Sequence, residues 1–398
     1  MNKRILFISG SLGLGHVTRD IAIAQEIRSL RNDVEIDWLA AHPASLLLKE
    51  SGEDLLDEAS DYLDENQIAE SASCGFRLNL FRYAVAFQRQ WQHNIDLVNR
   101  VMTRDRYDLL VGDETYDLVT AFRKNPGLKK SPFVMIYDFV GFDAMTSNPL
   151  ERLGIYMMNR RWASGYPNKP PPYDIGLFIG EPEDVPDSRF GFLLPGRREF
   201  ALARYKFTGY ILPFRPEDYD DYSAIRSRLG YGSEKLIICS IGGTSIGRQL
   251  LELCGEAYPL IKEKIPDVRM ILITGPRLAG DSIKVPEDVE IREYVPSLYQ
   301  HFAACDLAIV QAGGTTTLEL TTLKRPFLYF PIEGHCEQEK YVAERLARHR
   351  AGVKMKLSAT SPQALSDKVV SNIAKEVDYA PIPADGARMA ARYVTDLL

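Results

Sequence analysis

The segment from Gln311 to Arg345 constrains the fold of this chain more than any other. It follows an apolar run, Leu307 to Val310, which has the length of a buried strand. Two glycines and three threonines come next, then an apolar pattern of helical spacing. A strand, a glycine turn and a helix together point backbone N–H groups and a helix dipole at an anion. The segment therefore predicts a phosphate-binding turn, and a second strand, Phe327 to Phe330, follows it.

A carboxylate, Glu319, comes about one turn into this predicted helix. A carboxylate at that distance from a bound phosphate lies where the ribose of a nucleotide would lie. The first hypothesis is therefore a nucleotide diphosphate site.

Size and charge limit the alternatives. The chain has 398 residues, more than one core usually holds, so two domains are expected. The net charge of −6 argues against nucleic acid as a partner. Five scattered cysteines show no spacing typical of a metal site and suggest reduced thiols in a cytoplasmic protein. We expect no bound metal and no cofactor.

The amino terminus resembles a signal peptide only superficially. Its apolar run, Ile5 to Ile8, is shorter than the seven or so residues that a signal sequence needs. No run reaches the roughly 18 apolar residues of a membrane span. We therefore expect a cytoplasmic protein, with peripheral contact at the inner face of a membrane left open. Trp162 and its basic neighbours could form such a membrane contact, or they could belong to a plain helix beside a binding cleft.

Strands and helices alternate along the chain, which predicts two parallel, helix-flanked sheets. Acidic residues end two predicted strands, at Asp113 and at Asp138, where sites form in such sheets. The proline- and acid-rich stretch 213–221 is the expected linker. We predict an amino-terminal domain over 1–213, a carboxyl-terminal domain over 214–385, and a terminal helix, 386–398, packing on the first domain.

Several short motifs occur together in one order. They are Gly13-Leu14-Gly15-His16, Thr208-Gly209-Tyr210, Gly242-Gly243-Thr244-Ser245, Tyr294-Val295-Pro296, and Gly313 to Glu319. In this order the chain resembles the GT-B-type glycosyltransferases, and most closely the branch of the peptidoglycan N-acetylglucosaminyltransferase and the macrolide and plant UDP-glycosyltransferases. The resemblance implies two Rossmann-like α/β domains that face a central cleft.

The resemblance also implies roles. The acceptor, a small molecule or a lipid-linked one, would bind the first domain. The donor, a nucleotide-sugar for which the resemblance favours UDP, would bind the second, with Glu319 on the ribose and Glu337 and Gln338 on the sugar. The implied donor residues are Gly15, Gly243, Thr244, Ser245, Tyr294, Val295, Gly313, Gly314, Thr315, Thr316, Glu319, Glu337 and Gln338.

His16 is the expected general base, because an imidazole titrates near neutral pH and this one follows a strand in a glycine-rich loop. Asp113 would orient it, as a carboxylate does in hydrolase triads, and Glu114 competes for that role. The alternative for His16 is a helix cap, and His335 is a weaker candidate for sugar binding. The sequence departs from the family at Gln311, where the plant branch has a histidine, and at Tyr341, where an asparagine is usual.

The expected reaction is an inverting, metal-independent transfer of a hexose or N-acetylhexosamine to an acceptor hydroxyl. The Asp218-Tyr219-Asp220 motif holds a divalent metal in another glycosyltransferase fold, but here it lies in the linker. Two alternatives stay open: a nucleotide-sugar hydrolase or 2-epimerase of the same fold, and a non-catalytic nucleotide-sugar-binding subunit.

Overall fold

A computed structural model describes residues 2–10 and 12–398. Ser11, in the predicted glycine-rich loop, lies outside the described residues. The chain forms two compact units. Unit 1 comprises residues up to Ala72, Asn79–Pro213 and Pro383–Leu398, and unit 2 comprises Ser73–Leu78 and Phe214–Ile382.

The strands follow the apolar runs of the sequence. They are β1 (Lys3–Ile8), β2 (Val34–Leu39), β3 (Asp54–Leu55), β4 (Ser73–Cys74), β5 (Arg77–Leu78), β6 (Leu109–Asp113), β7 (Phe133–Tyr137), β8 (Ile175–Ile179), β9 (Tyr205–Gly209), β10 (Lys235–Ser240), β11 (Val268–Ile273), β12 (Glu290–Arg292), β13 (Leu307–Gln311), β14 (Phe327–Phe330) and β15 (Val353–Lys354).

The α-helices lie mainly between successive strands. They are α1 (Gly15–Leu30), α2 (Ala44–Glu50), α3 (Glu65–Ser71), α4 (Leu80–Arg104), α5 (Tyr116–Lys124), α6 (Pro149–Trp162), α7 (Arg197–Arg204), α8 (Tyr222–Arg228), α9 (Arg248–Lys264), α10 (Leu298–Ala304), α11 (Gly314–Thr322), α12 (Ala343–Arg348), α13 (Pro362–Asn372) and α14 (Gly386–Thr395). A π-helix, Glu337–Val342, leads into α12.

Unit 1 is built on a parallel seven-stranded sheet of order β3-β2-β1-β6-β7-β8-β9. Both faces are buried, as is usual for a parallel sheet between helices. Leu6 and Ile8 enter the core on one face, and Ile5 and Phe7 enter the core on the other. The strand order reverses at β1, which has β2 on one side and β6 on the other. Ligand sites form at the carboxyl ends of strands at such a switch point.

The last helix completes unit 1. Helix α14 packs on α1, and Ala390, Ala391 and Val394 are buried in the same core cluster as Ile5. The Gly386 N–H donates to the Tyr210 carbonyl at 3.1 Å. A Cβ on Gly386 would lie 2.5 Å from that oxygen, so this close approach requires glycine.

Unit 2 has a parallel six-stranded sheet of order β12-β11-β10-β13-β14-β15. Its order reverses at β10, which lies between β11 and β13. The hairpin formed by β4 and β5 belongs to this unit: the Leu78 N–H donates to the Glu333 carbonyl at 2.9 Å, and the Glu333 N–H donates to Phe76 at 3.1 Å. The two parallel, helix-flanked sheets confirm the predicted fold class.

Turns set the bounds of two strands. Strand β9 ends at Gly209, where a positive φ of 77° turns the chain, and the Tyr210 N–H then donates to the Pro383 carbonyl. Strand β12 begins at Glu290, because the Val289 N–H closes a turn with the Pro286 carbonyl.

Candidate functional site

His16 and Asp113 meet at the carboxyl edge of the unit 1 sheet. His16 is the second residue of α1, just beyond β1, and Asp113 is the last residue of the neighbouring strand β6. The His16 Nδ1 lies 2.8 Å from the Asp113 Oδ2. The Asp113 side chain is fully buried, whereas that of His16 is 14% exposed. When Nδ1 donates to Asp113, the Nε2 lone pair is left to accept a proton.

Arg19, one turn along α1 from His16, also binds Asp113. Its Nη2 lies 2.6 Å from Asp113 Oδ1, and its Nε lies 3.1 Å from Oδ2. Its Nη1 lies 2.7 Å from Asp138 Oδ2, so one buried guanidinium bridges two acids. Burial opposes ionisation of Asp113, but the charges of Arg19 and His16 outweigh it and hold the pKa of Asp113 below its usual value.

The Arg19 guanidinium competes with Asp113 for the Nδ1 atom of His16. Arg19 Nη2 lies 2.7 Å from His16 Nδ1, the atom that faces Asp113. In a neutral ring Nδ1 either donates to Asp113 or accepts from Arg19, and only the first tautomer leaves Nε2 unprotonated. Sequence reasoning missed Arg19, although its spacing of three from His16 on one helix puts the two on the same face.

Glu114 faces the other imidazole nitrogen. Its Oε2 lies 3.7 Å from His16 Nε2, and its Oε1 accepts a hydrogen bond from the Tyr116 hydroxyl at 2.9 Å. Burial, together with the charges of Asp138 and Asp113, raises the pKa of Glu114 well above its usual value. Of the two acids that the sequence left in competition, Asp113 contacts Nδ1 and Glu114 lies near Nε2.

A third acid, Asp20, supports the same edge. It is fully buried and accepts from the Ser9 hydroxyl at 2.6 Å. Burial and the nearby charge of Asp113 raise the pKa of Asp20 well above its usual value. Burial and neighbouring acids thus favour the protonated forms of Asp20 and Glu114, whereas the charge of Arg19 favours the ionised forms of Asp113 and Asp138.

The two predicted phosphate turns of unit 2 follow adjacent strands. The loop 241–247 follows β10 and the turn at Gly313 follows β13, at the point where the strand order reverses. Gly242 has a φ of 76°, which favours glycine, and Gly243 and Thr244 are buried. The Thr244 hydroxyl is buried and has no hydrogen-bond partner among residues 2–10 and 12–398. An unpartnered donor of this kind suits an anion.

Gly313 caps the second turn, and α11 begins at Gly314. Thr315 and Thr316 follow in its first turn and are half-buried. The Gln311 amide oxygen is buried without a partner among the described residues, and a Cβ on Gly247 would lie 3.0 Å from it. Since amide oxygen and nitrogen are assigned rather than observed, Gln311 can present an N–H here.

Glu319 lies on α11 and is buried. Burial raises the pKa of Glu319 to about 8. A ligand that donates hydrogen bonds to this carboxyl would favour its ionised form.

Glu337 and Gln338, the predicted sugar-binding pair, lie in different environments. A Cβ on Gly314 would lie 3.7 Å from Glu337 Oε1, so Glu337 is next to the first turn of α11. Gln338 is buried, and its Oε1 accepts from the Ile332 N–H at 2.9 Å, which leaves its amide N–H groups for a ligand. Both begin the π-helix, a rare form that is frequent at functional sites.

Arg345 was missed by the sequence reasoning. Its Nη2 donates to the Gly314 carbonyl at 3.0 Å and so links α12 to the phosphate turn. His335 and Tyr341 are buried beside the pair, and His335 Nδ1 accepts from the Gln338 N–H at 3.4 Å.

The remaining candidates lie as follows. Tyr294 and Val295 are half-buried between β12 and α10, where Val295 packs on the unit 2 core. Gly15 is the first residue of α1. Asp218 and Asp220, the acids of the linker motif, are exposed. No group of three or more histidine, cysteine or acidic side chains in 2–10 and 12–398 is arranged to hold a metal ion.

A cavity of ≈ 370 Å³ in unit 2 lies beside the hairpin of β4 and β5. Its lining includes Phe76, Gln249 and Leu357, and it contains none of the predicted donor residues. In the described part of the chain, no helix is long and apolar enough to cross a membrane.

Comparison with known proteins shows which family part of the chain resembles. Residues 237–391 match the model of the glycosyltransferase family 28 C-terminal domain. An uncharacterized glycosyltransferase from Methanopyrus kandleri is 27% identical over 194 residues, which make up 48% of this chain and 54% of that protein. A UDP-N-acetylglucosamine--N-acetylmuramyl-(pentapeptide) pyrophosphoryl-undecaprenol N-acetylglucosamine transferase from Carboxydothermus hydrogenoformans is 28% identical over 147 residues, 35% of this chain and 38% of that protein. The chain thus spans about half, or less, of the length of these relatives.

Solved structures match over the whole chain. The glycosyltransferase SnogD from Streptomyces nogalater has a TM-score of 0.55 and 18% identity, covering 100% of this chain and 95% of its own. MurG from Acinetobacter baumannii has a TM-score of 0.51 and 16% identity, covering 100% and 99%. At this identity the likeness establishes the fold. Residues 237–391 therefore resemble a family 28 C-terminal domain, and the chain has the two-domain α/β fold of glycosyltransferases such as SnogD and MurG.

Proposed function

We propose that the protein is an inverting glycosyltransferase that moves a hexose or N-acetylhexosamine from a nucleotide diphosphate sugar to an acceptor hydroxyl. The observation that carries the proposal is the 2.8 Å contact between His16 Nδ1 and Asp113 Oδ2 at the switch point of the unit 1 sheet. This contact orients His16 to act as a base. Residues 237–391 of the same chain match a family 28 domain, and this region contains the two glycine turns.

In the proposed reaction the acceptor hydroxyl passes its proton to His16 Nε2. The hydroxyl oxygen forms a bond to the anomeric carbon as the bond from that carbon to the diphosphate breaks, and the diphosphate leaves with the electron pair. A single displacement inverts the anomeric carbon. Asp113 stabilises the imidazolium that forms, and such base catalysis contributes about 10²–10⁴-fold.

The leaving diphosphate gains negative charge during the reaction. We assign its stabilisation to the backbone N–H groups and hydroxyls of 243–245 and of Gly313 to Thr316. Donors fixed in place before reaction stabilise such charge without reorganisation, and losing one costs about 10²–10³-fold in turnover. No metal is required in this scheme. The UDP-linked donor is proposed from the name of the Carboxydothermus relative and from the motifs.

We further propose that the acceptor is reached at a lipid surface. Leu150, Leu153 and Met157 project from one face of α6 and are exposed, Leu150 by 72%. The loop bearing Phe192 and Leu193 is also exposed and is held to α6 by the Tyr156 hydroxyl, 3.3 Å from the Phe192 carbonyl. Exposed basic side chains belong to the same elements: Arg152, Arg160, Arg161 and Arg189.

This apolar face with a basic surround suits anionic lipid headgroups and supports a lipid-linked acceptor. Trp162 is not part of the face. Its Nε1 donates to the Tyr205 hydroxyl at 3.0 Å, and its ring packs 5.4 Å from that of Tyr116.

The test is release of nucleoside diphosphate from UDP-glucose and UDP-N-acetylglucosamine with and without an acceptor panel. Release that depends on acceptor supports transfer, equal release without acceptor indicates a hydrolase, and no release with intact donor binding indicates a binding subunit. His16→Ala should remove turnover and keep donor binding. His93→Ala, at an exposed position on α4, is the matched control.

A further inference from the structure

Glu114 is the side chain next to the nitrogen that would receive the proton. Its Oε2 lies 3.7 Å from His16 Nε2. Its Oε1 is held by the Tyr116 hydroxyl at 2.9 Å, and Tyr116 is itself packed against Trp162 and Phe139. The carboxyl is therefore fixed by its neighbours, with Oε2 directed at the base.

The backbone adds a second, independent observation. Glu114 has a φ of 54°, a left-handed conformation that is uncommon for residues other than glycine. Its N–H donates to the Ile136 carbonyl at 3.1 Å, and the Tyr116 N–H donates to the Glu114 carbonyl at 2.8 Å. The neighbouring strand and turn thus hold a strained conformation, and strain of this kind clusters at functional sites.

The surroundings of the carboxyl favour its protonated form. Burial, with the charges of Asp138 and Asp113, raises the pKa of Glu114 well above its usual value. Burial also opposes ionisation of Asp138, but the charge of Arg19, whose Nη1 binds Asp138 at 2.7 Å, outweighs it and holds the pKa of Asp138 below its usual value. Glu114 therefore holds a proton more readily than Asp138, and a protonated carboxyl still has oxygen lone pairs that accept a hydrogen bond.

Two acceptor atoms 3.7 Å apart suit two neighbouring hydroxyls. The attacking hydroxyl donates its single proton to Nε2, so it has none left for Glu114. A second hydroxyl on the adjacent carbon can donate to Oε2, because hydroxyl groups on neighbouring carbons lie about as far apart as a hydrogen bond is long. An acceptor with one isolated hydroxyl satisfies only His16.

We propose that Glu114 is an acceptor-positioning residue that binds the hydroxyl adjacent to the attacking one, so that the site selects vicinal diols, such as sugar rings, over isolated hydroxyls. The inference rests on the proposed transfer and deepens it by naming the acceptor class. It assigns Glu114 an effect on acceptor binding and leaves proton transfer to His16.

The experiment compares two acceptors, p-nitrophenyl β-D-glucopyranoside and 4-methylumbelliferone, which carry vicinal hydroxyls and one isolated hydroxyl. The variants are Glu114→Gly, which removes the side chain and tolerates the positive φ, and Glu114→Gln, which keeps a neutral acceptor oxygen. We expect wild type to prefer the glucoside. Glu114→Gly should raise KM for the glucoside at least tenfold and leave KM for the phenol and the UDP affinity unchanged. Glu114→Gln should stay within about threefold of wild type.

The other possible results would overturn the acceptor class, the positioning role of Glu114 or the proposed transfer itself. Turnover of the phenol alone by wild type overturns the acceptor class but leaves the proposed transfer standing. Equal effects of Glu114→Gly on both acceptors overturn the positioning role. A Glu114→Gln variant as inactive as His16→Ala would make Glu114 an ionised base. If wild type releases UDP with neither acceptor, nor with any of the wider panel, the proposed function fails and this inference fails with it.

Discussion

We predict that the buried carboxyl of Glu319 makes donor binding depend on pH. The ligand-free carboxyl has its pKa raised to about 8 by burial. Ribose hydroxyls that donate to it would favour the carboxylate, so binding should lower its pKa and release a proton. Below about pH 8 the free carboxyl holds this proton, and the donor must bind at the cost of removing it.

The size of this pH effect on donor affinity follows from the raised pKa of Glu319. At about pH 6, two units below the free pKa, ionising the carboxyl costs about 2.7 kcal/mol, since each unit is worth 1.36 kcal/mol. If the pKa in the complex lies below 6, the Kd for UDP-glucose should fall about tenfold per pH unit between about pH 6 and pH 8. It should then level off, for a total of about 100-fold.

Titration calorimetry in two buffers of different ionisation enthalpy measures the proton directly. We expect release of nearly one proton per donor bound at about pH 7. Glu319→Gln keeps the size of the side chain and should bind with a Kd that does not change with pH. A flat Kd in wild type, or proton uptake on binding, would refute the ribose assignment.

The same shift predicts a stability difference without ligand. The folded pKa of about 8 lies above the ordinary value of 4.5, so the unfolded chain loses the proton first as pH rises. The contribution of Glu319 to stability should therefore decline between about pH 4.5 and pH 8. Urea unfolding should show Glu319→Gln gaining relative to wild type over that range; equal curves would contradict the buried, raised pKa.

Three further predictions concern unit 1. Asp113→Asn should lower kcat by at least 10²-fold with donor Kd unchanged, because the amide no longer stabilises the imidazolium; an unchanged kcat would exclude the dyad. Arg19→Met leaves two buried acids without their cation and should cost about 3–5 kcal/mol in urea unfolding. Without Arg19 the buried Asp113 and Asp138 should have raised pKa values, so keeping them ionised in the folded state costs more free energy as pH rises. The loss of stability should therefore be larger at pH 8 than at pH 5. An equal loss at both pH values would refute this prediction. Replacing Leu150, Leu153 and Phe192 by serine should abolish co-sedimentation with anionic liposomes and leave turnover of water-soluble acceptors intact; undiminished sedimentation would contradict the lipid-facing assignment.

Much of the fold is predictable because local patterns determine it. Strands such as β7 and β14 are short apolar runs, and α1 and α11 follow glycine turns, so each could be located from its own residues. The end of β9 at Gly209 is harder to locate from the sequence, because Gly209 turns the chain with a positive φ where its backbone pairs with Gly180, far from it in sequence. The hairpin Ser73–Leu78 could not be predicted from its own residues, because its structure depends on pairing with Glu333, more than 250 residues away.

Some residues of the candidate site could also be predicted from the sequence, and others could not. His16 and the glycine turns occupy fixed places relative to strands, so their positions could be predicted. Arg19 could not be recognised as a bridge, because its partners Asp113 and Asp138 come from two other strands and meet it only in three dimensions. The raised pKa of Glu114 likewise depends on burial and on Asp138, which no sequence spacing reveals.

The central claim is that His16 is the base of a sugar transfer. The most direct measurement is acceptor-dependent release of UDP by wild type, His16→Ala and His93→Ala, with donor affinity measured on the same samples. We expect release by wild type and His93→Ala, and a loss of at least 10²-fold in kcat for His16→Ala at unchanged donor Kd. Full turnover by a folded His16→Ala variant would contradict it.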